Sequence, residues 1–374
     1  MKILFISHSS DRSGAPIALL QELQHIKENH KEIQADVLML KNGILLDSFR
    51  ELFPVLYAKN TNKLFYRVIR KLGLLPEIYQ YLGFFKRNKY DCIYANTVVS
   101  FNAAIIIKQK LNIPLIGHVH ESESLCKNFG VTESKLKNFN AIITVSEFTK
   151  RNLIINYNYP KEKITIQHPY STWVDKFFKN EVQIKSVDSK AFYFTIGLFC
   201  NGCWQKALEA LPFFVDRFQK KYPNNNIQFN IIGNIPDNIL YKTKYDLKRM
   251  NLEDKIIWAG GVNNPLDYHA SFDVFLLFSR EDSYPLAAEE AAITETPVIG
   301  FQGATGAAEW IKDGAGIIVP YMDFDALADA IYQLYSDSEL RRNMGKKGKD
   351  IITNLYNEDS QMNNIYRVIK SVMN

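Results

Sequence analysis

The densest run of chemically useful side chains is Ser279 to Gly300, SREDSYPLAAEEAAITETPVIG. It holds two acidic pairs at one spacing, Glu281 with Glu289 and Asp282 with Glu290. The apolar run Val274 to Leu277 just before it reads as a strand. The acids therefore leave a strand's carboxyl end, where open parallel sheets bind ligands. Pro285 suits the first position of a helix, because its missing N–H would have no partner there. The free amides of Leu286 and Ala287 in that first turn form an anion site suited to phosphate. The alternative is that the acids only complement the helix dipole.

Four further segments carry candidate chemistry. His118-Val119-His120-Glu121 closes a strand-like run. Alternate strand residues share a face, so the two histidines could ligate a metal, although no third ligand is apparent. A structural imidazole oriented by Glu121 is the other reading. Ser13-Gly14-Ala15-Pro16 joins a first strand to a first helix, and Gly14 allows close backbone approach. It is either a phosphate- or acceptor-facing helix start or a plain turn, and it is not the dinucleotide GxGxxG fingerprint. Gly197 to Lys206, GLFCNGCWQK, offers Lys206 as a fixed cation and Cys200 and Cys203 as a CxxC without a second ligand pair. Asp323-Phe324-Asp325 is a DxD sequence that reads as a helix cap.

Short apolar runs alternate with helical stretches around these segments. Ile3–Ile6, Ala35–Leu40, Asp91–Ala95, Pro114–Val119 and Ala141–Val145 read as strands, with helices at Ala15–Ile26 and Phe101–Leu111. The pattern restarts with strands at Phe192–Gly197, Phe229–Gly233, Lys255–Trp258, Val274–Leu277, Pro297–Gly300 and Ile317–Val319. Helices are expected at Gln205–Lys220, Pro285–Thr294, Asp325–Tyr335 and Asp359–Met373. Near-continuous apolar strands between helices mean parallel sheets covered on both faces. The 374 residues thus read as two α/β domains, 1–175 and 190–358, joined through an aperiodic charged stretch at Lys176–Lys190. The last helix, 359–374, is expected to pack back on the first domain. The default ligand site is a cleft between two such domains.

Composition narrows the class. Lys+Arg 45 against Asp+Glu 40 gives +5, too mild to imply nucleic acid. The first apolar run stops at Ile6, short of a signal peptide or a membrane span. Four cysteines make no disulfide framework, so a cytoplasmic protein with free thiols is expected.

The chain resembles a GT4-family glycosyltransferase. In that family an acid and a Glu separated by seven residues are followed by Ala and, seven residues after the Glu, a Pro-Val strand. Here Asp282, Glu290-Ala291 and Pro297-Val298 fit that frame, with Glu281 and Glu289 the off-by-one alternative. The opening strand with its SGAP loop, His120, Val145-Ser146-Glu147 and Gly316–Pro320 extend the likeness over nearly the whole chain. Within the family, SREDSYPLAAEEAA is similar to the bacterial surface-polysaccharide branch. The resemblance implies the GT-B fold, two Rossmann-like parallel-sheet domains facing each other across a cleft. It implies a retaining transferase that uses a UDP- or GDP-linked sugar and needs no metal.

Roles follow position by position. Glu290 would hold the ribose hydroxyls, since a carboxylate accepts both hydrogen bonds. Asp282 or Glu281, with His120, would face the donor sugar. Lys206, Leu286, Ala287 and Gly14 would meet the diphosphate, and Asn96 and Glu121 fall on the acceptor side. The acceptor implied is a glycan or polyprenyl-linked saccharide. Two positions depart from the family: Pro285 where Gly is frequent, and Leu198 where an Arg is expected. Leu198 keeps open a non-catalytic GT-B partner subunit; a GT-B epimerase or phosphorylase is the other alternative.

Lys63 to Lys89 interleaves Lys63, Arg67, Arg70, Lys71, Lys86, Arg87 and Lys89 with aromatic and leucine residues, against one acid, Glu77. This pattern suits either an anionic membrane surface or a solvated basic helix face. Each basic residue near an anionic surface contributes ~1 kcal/mol, screened beyond ~8 Å at physiological salt. Co-sedimentation with anionic vesicles at low salt, release at high salt, and loss on replacing Arg67, Arg70, Lys71, Lys86 and Arg87 with Gln are the expected results. Equal sedimentation of both proteins leaves only the solvated face.

Overall fold

The computed structural model describes residues 1–57, 78, 81–185, 193–356 and 358–373. Residues 63–77 of the basic stretch, with Tyr79, lie outside them, as does part of the charged stretch near 190. The chain divides into two units, Met1–His168 with Glu358–Asn374, and Pro169–Asn357.

The first unit is built on seven parallel strands. They are β1 (Lys2–Ser7), β2 (Gln34–Met39), β3 (Val55–Tyr57), β4 (Cys92–Asn96), β5 (Leu115–Val119), β6 (Ala141–Thr144) and β7 (Ile164–Ile166). Their spatial order is β3-β2-β1-β4-β5-β6-β7. β1, β4 and β5 are buried almost throughout, which is why they read as unbroken apolar runs. The helix Gly14–Asn29 buries Pro16, Leu19, Leu23 and Ile26, an apolar stripe at helical spacing, and carries Glu22 inward with it. Glu358–Ser371 belongs to this unit. Its Tyr366 ring stacks on His30 at 4.0 Å and its hydroxyl donates to Glu32 Oε1 at 2.7 Å.

The second unit repeats the plan with six parallel strands. They are β8 (Phe194–Phe199), β9 (Ile227–Ile232), β10 (Ile256–Gly260), β11 (Val274–Leu277), β12 (Val298–Phe301) and β13 (Gly316–Val319), in the order β10-β9-β8-β11-β12-β13. Alternate residues serve opposite faces. Leu276, Ile299 and Phe301 pack with Phe214 and Phe229, while Phe275, Leu277 and Val298 pack with Ala291 and Trp310.

Three expectations need correction here. The stretch Gln205–Lys220 is not one helix. Two 3₁₀ turns, Trp204–Lys206 and Leu208–Ala210, precede an α-helix that starts at Leu211. Ala207 between them is left-handed at φ 52°, which an α-helix cannot absorb. Pro285 is not the first helical residue either. It is the extended N-cap, at ψ 103°, of Leu286–Ile293. The start of the charged stretch is ordered as the helix Thr172–Phe178, which Ser171 caps by accepting from the Trp173 amide at 3.1 Å.

Packing of Ser338–Leu355 against the rest of its unit depends on two buried glycines. A Cβ on Gly345 would stand 1.9 Å from the Glu295 carbonyl oxygen, whereas one on Gly348 would find ordinary contacts of 3.4 Å and beyond. Gly→Ala normally favours a helix by ~1 kcal/mol. Gly348→Ala should therefore hold or raise the urea midpoint. Gly345→Ala should lower stability by about 1–3 kcal/mol, because backbone must move; equal midpoints for the two variants would overturn this packing.

Candidate active site

In the second unit the loops after β8 and β11 meet. Lys206, on the first 3₁₀ turn, places Nζ 2.6 Å from Asp282 Oδ2. Burial draws the ammonium's pKa down, but the Asp282 carboxylate outweighs it and the net shift is upward, so Lys206 is a fixed cation. The Asp282 backbone is pinned by a hydrogen bond from its amide to the Ala304 carbonyl at 2.7 Å and one accepted from the Gly306 amide at 3.0 Å. Arg280 clamps the Lys206 turn. Its amide donates to Gln205 O at 2.7 Å, and Nη1 donates to Trp204 O at 2.9 Å. Nη1 also pairs with Glu209 at 2.6 Å, and the guanidinium lies over the Trp204 ring. Glu281 is half-buried beside these groups.

The helix Leu286–Ile293 follows directly. The amides of Leu286 and Ala287 stand in its first turn, where no intrahelical acceptor exists, and both residues are partly exposed. Its two acids part company. Glu289 is buried, accepts the Ser171 amide at 3.1 Å and bonds Tyr284; burial pushes its carboxyl up to about 8. Glu290 accepts the Ser171 hydroxyl at Oε1 and faces His269 Nε2 at 3.5 Å from Oε2. Leu198, at the position where the resemblance expects Arg, is buried in the core.

Cys200 is buried and accepts the Gly202 amide at Sγ. Asp323 accepts the Asp325 and Ala326 amides at 3.0 Å each, and the Asp325 carboxylate binds Arg217. Among the described residues, no three His, Cys, Asp or Glu side chains gather as metal ligands.

In the first unit the residues come off β1, β4 and β5. Gly14 opens the helix Gly14–Asn29 and has open space where a Cβ would stand. Asn96, at the end of β4, donates from Nδ2 to the Ala15 carbonyl at 2.9 Å and lies 2.9 Å from His120 Nε2 through Oδ1. With Oδ1 the acceptor, His120 carries its proton on Nε2 and leaves Nδ1 as an acceptor. Burial holds His120 well below the usual imidazole range, so it is neutral. The His118 ring lies 4.0 Å from it, tilted by 37°, and is buried between Glu22 and Tyr94.

Glu121 is turned inward. Its Oε2 accepts the Val98 amide at 3.2 Å and the His120 amide at 3.0 Å. It thereby braces Thr97, a β-branched residue at φ 76° and ψ 151°, a conformation that costs about 1–3 kcal/mol.

Ser171, His269, Arg280, Glu22 and Tyr94 were not singled out by sequence reading. A Ser before a short amphipathic run signals the Ser171 cap. Nothing local signals its contact with carboxylates more than a hundred positions away.

Each unit is doubly wound on a parallel sheet, and two such units make the GT-B fold. Residues 205–351 match the family model described as glycosyl transferases group 1, and residues 50–169 that described as Glycosyltransferase Family 4. The chain thus carries a glycosyl transferases group 1 domain and a Glycosyltransferase Family 4 domain.

It is 31% identical over 124 residues to the N-acetyl-alpha-D-glucosaminyl L-malate synthase of Bacillus anthracis, covering 32% of each chain. It is 25% identical over 223 residues to the capsular polysaccharide biosynthesis glycosyltransferase CapM of Staphylococcus aureus, covering 58% of this chain and 57% of that one. The chain thus spans a third to just over half the length of these curated relatives. Among solved structures, Anabaena HepE in complex with UDP and glucose superposes with a TM-score of 0.77 at 17% identity, over 99% of this chain and 100% of that one. The lipopolysaccharide outer core galactosyltransferase WaaB gives 0.78 at 16%, over 99% of both. At these identities the structural likeness is one of fold.

The buried acids set a pH dependence. Burial raises Glu22 to about 8, against an opposing hydrogen bond from Tyr94, and raises Glu121 to about 7. A carboxyl whose folded pKa exceeds its unfolded one favours folding at low pH and loses that contribution as pH rises through the folded value. Below about pH 6.5 the buried histidines act in the opposite sense, since His118 is lowered to about 3 by burial. Stability should therefore peak near neutrality and fall from pH 7 to 9. Urea titrations should show Glu22→Gln losing less over that range by about 1 kcal/mol; parallel curves for the two proteins would refute the assignment.

Proposed function

We propose that this chain is a retaining, metal-independent glycosyltransferase. It moves a sugar from a UDP- or GDP-linked donor to a saccharide or polyprenyl-linked acceptor in bacterial surface-glycan synthesis. The observation that carries this is the Lys206–Asp282 pair standing beside the amide-bearing helix that also presents Glu290.

In this reading Glu290 receives the ribose hydroxyls, and Lys206 with the amides of Leu286 and Ala287 takes the diphosphate. Asp282 and His120 address the donor sugar, with Glu281 beside Asp282. Asn96 orients His120 and, with Gly14, belongs to the acceptor and phosphate approach in the first unit. Charge develops on the departing diphosphate, and fixed positive groups stabilise it without reorganising. The ammonium already held beside Asp282 is such a group, which removes the need for a metal. The diphosphate oxygen takes the acceptor's proton as the new bond forms on the same face. The capsule and surface-glycan names of the relatives support the substrate class. Work at the cytoplasmic face of the membrane, through residues 63–89, fits a lipid-linked acceptor. Among the described residues, no helix is long and apolar enough to cross a membrane.

Leu198 in place of the expected Arg favours a second reading, a subunit that binds the nucleotide-sugar without turnover. Release of free nucleotide diphosphate with acceptor present separates the two. The nucleotide assignment has its own test. Glu290→Gln should weaken UDP or GDP binding by about 1–3 kcal/mol in calorimetry, the worth of charged hydrogen bonds. Glu289→Gln should leave it unchanged, since Glu289 is turned inward. A larger loss at Glu289 would shift the frame by one residue.

A further inference from the structure

Glu290 sits on the helix Leu286–Ile293 that follows β11, and its two oxygens are approached from two directions. Ser171 donates its hydroxyl to Oε1. Beyond Oε2, at 3.5 Å, stands Nε2 of His269. His269 is fully buried as the last residue of the helix Pro265–His269. Its ring stacks on Phe199 at 4.5 Å and 6°, and meets Phe275 edge-on at 4.9 Å and 70°. Its backbone is fixed as well, because its carbonyl accepts the Thr296 hydroxyl at 2.7 Å.

Neither ring nitrogen has a hydrogen-bond partner, and the 3.5 Å approach to Oε2 is the nearest that Nε2 comes to an acceptor side chain among the described residues. A buried imidazole in an aromatic cage loses its hydration, and an apolar ring of the same shape would fill the cage without that cost. The one polar group this ring addresses is the Glu290 carboxylate. Burial favours the neutral ring and Glu290 opposes it, so the balance between them is set by this contact.

We infer that His269 is a positioning residue for Glu290, fixing the carboxylate that receives the ribose; this rests on the reading of Glu290 given above. A neutral imidazole with its proton on Nε2 directs that N–H at Oε2, while Ser171 directs its O–H at Oε1. Two holds on one carboxylate remove its rotational freedom and keep its remaining lone pairs in one orientation. Glu289 cannot take the same part, because its Oε2 is occupied by the Ser171 amide.

The test titrates UDP and GDP separately into the unaltered chain, His269→Phe, His269→Gln and Glu290→Gln, by calorimetry. Melting temperature is recorded for each, and donor KM and kcat wherever turnover is found. His269→Phe should keep or raise the melting temperature yet raise the nucleotide Kd about tenfold, with KM rising and kcat within about twofold. His269→Gln, whose amide can donate toward Oε2, should recover most of the loss. His269→Leu replaces Phe should the larger ring fail to fold. Wild-type Kd in His269→Phe or His269→Leu, with Glu290→Gln weakened, overturns the inference alone. Unchanged binding in Glu290→Gln, or no binding of either nucleotide by the unaltered chain, overturns the reading of Glu290 on which it rests.

Discussion

The reversal of strand order beside the first strand of each sheet governs where chemistry can occur. In the first unit β1 lies between β2 and β4, and in the second β8 lies between β9 and β11. Connections leaving the two central strands run in opposite directions at such a point, and a crevice opens at their carboxyl ends. Gly14 and Asn96 come off β1 and β4; Lys206 and Asp282 come off β8 and β11. Parallel pairing also buries both faces of these strands. Polar side chains are thereby confined to strand ends, unless a partner satisfies them inside.

That confinement explains what the sequence discloses. Strands read well because burial on both faces leaves an unbroken apolar run, as in Ile3–Ile6 and Val274–Leu277. The acid–Glu frame is legible because its members share one loop and one short helix. The broken turn at Ala207 is not, since nothing in QKALEAL forbids a continuous helix; the left-handed residue is imposed where Arg280 holds the turn at Trp204 and Gln205. The holds on the site are equally silent. Ser171 reaches Glu290 from a segment that reads as the beginning of a linker. His269 reads as a lone polar residue before a strand. Contacts between residues far apart in sequence leave no periodic trace, and a single chain offers no covariation from which to infer them.

The four buried glutamates among the described residues illustrate how neighbours set what a carboxyl can do. Glu22 and Glu289 lie where burial favours the protonated form, and each is tied to a tyrosine. Glu121 spends its charge-accepting capacity on two backbone amides that brace Thr97. Of these four, only Glu290 accepts a side-chain hydroxyl at one oxygen and faces a buried imidazole at the other while standing one turn from free helix amides. Sequence spacing offered Glu289 and Glu290 as near equals. Their different partners separate an acid turned into the core from the one the proposed function assigns to the ribose.

Under the proposed function, Leu198 raises the question of how the Lys206 ammonium would serve a doubly charged leaving group. The β8 alternation points Leu198 into the apolar cluster with Phe214 and Phe229. A guanidinium in that direction would be a buried charge without a partner, costing several kcal/mol by the usual desolvation penalty (about 3–5 for an unpaired buried ion). The chain instead places its arginine at 280, after the neighbouring strand, and commits it to Trp204, Glu209 and the Lys206 turn. That guanidinium contributes by rigidity, because it fixes the backbone from which Lys206 reaches Asp282. A single ammonium so fixed, with amides of a helix start beside it, needs no rearrangement when negative charge appears. Preorganisation of this kind compensates for the number of cations, since a donor that must first be oriented loses part of its interaction to that ordering.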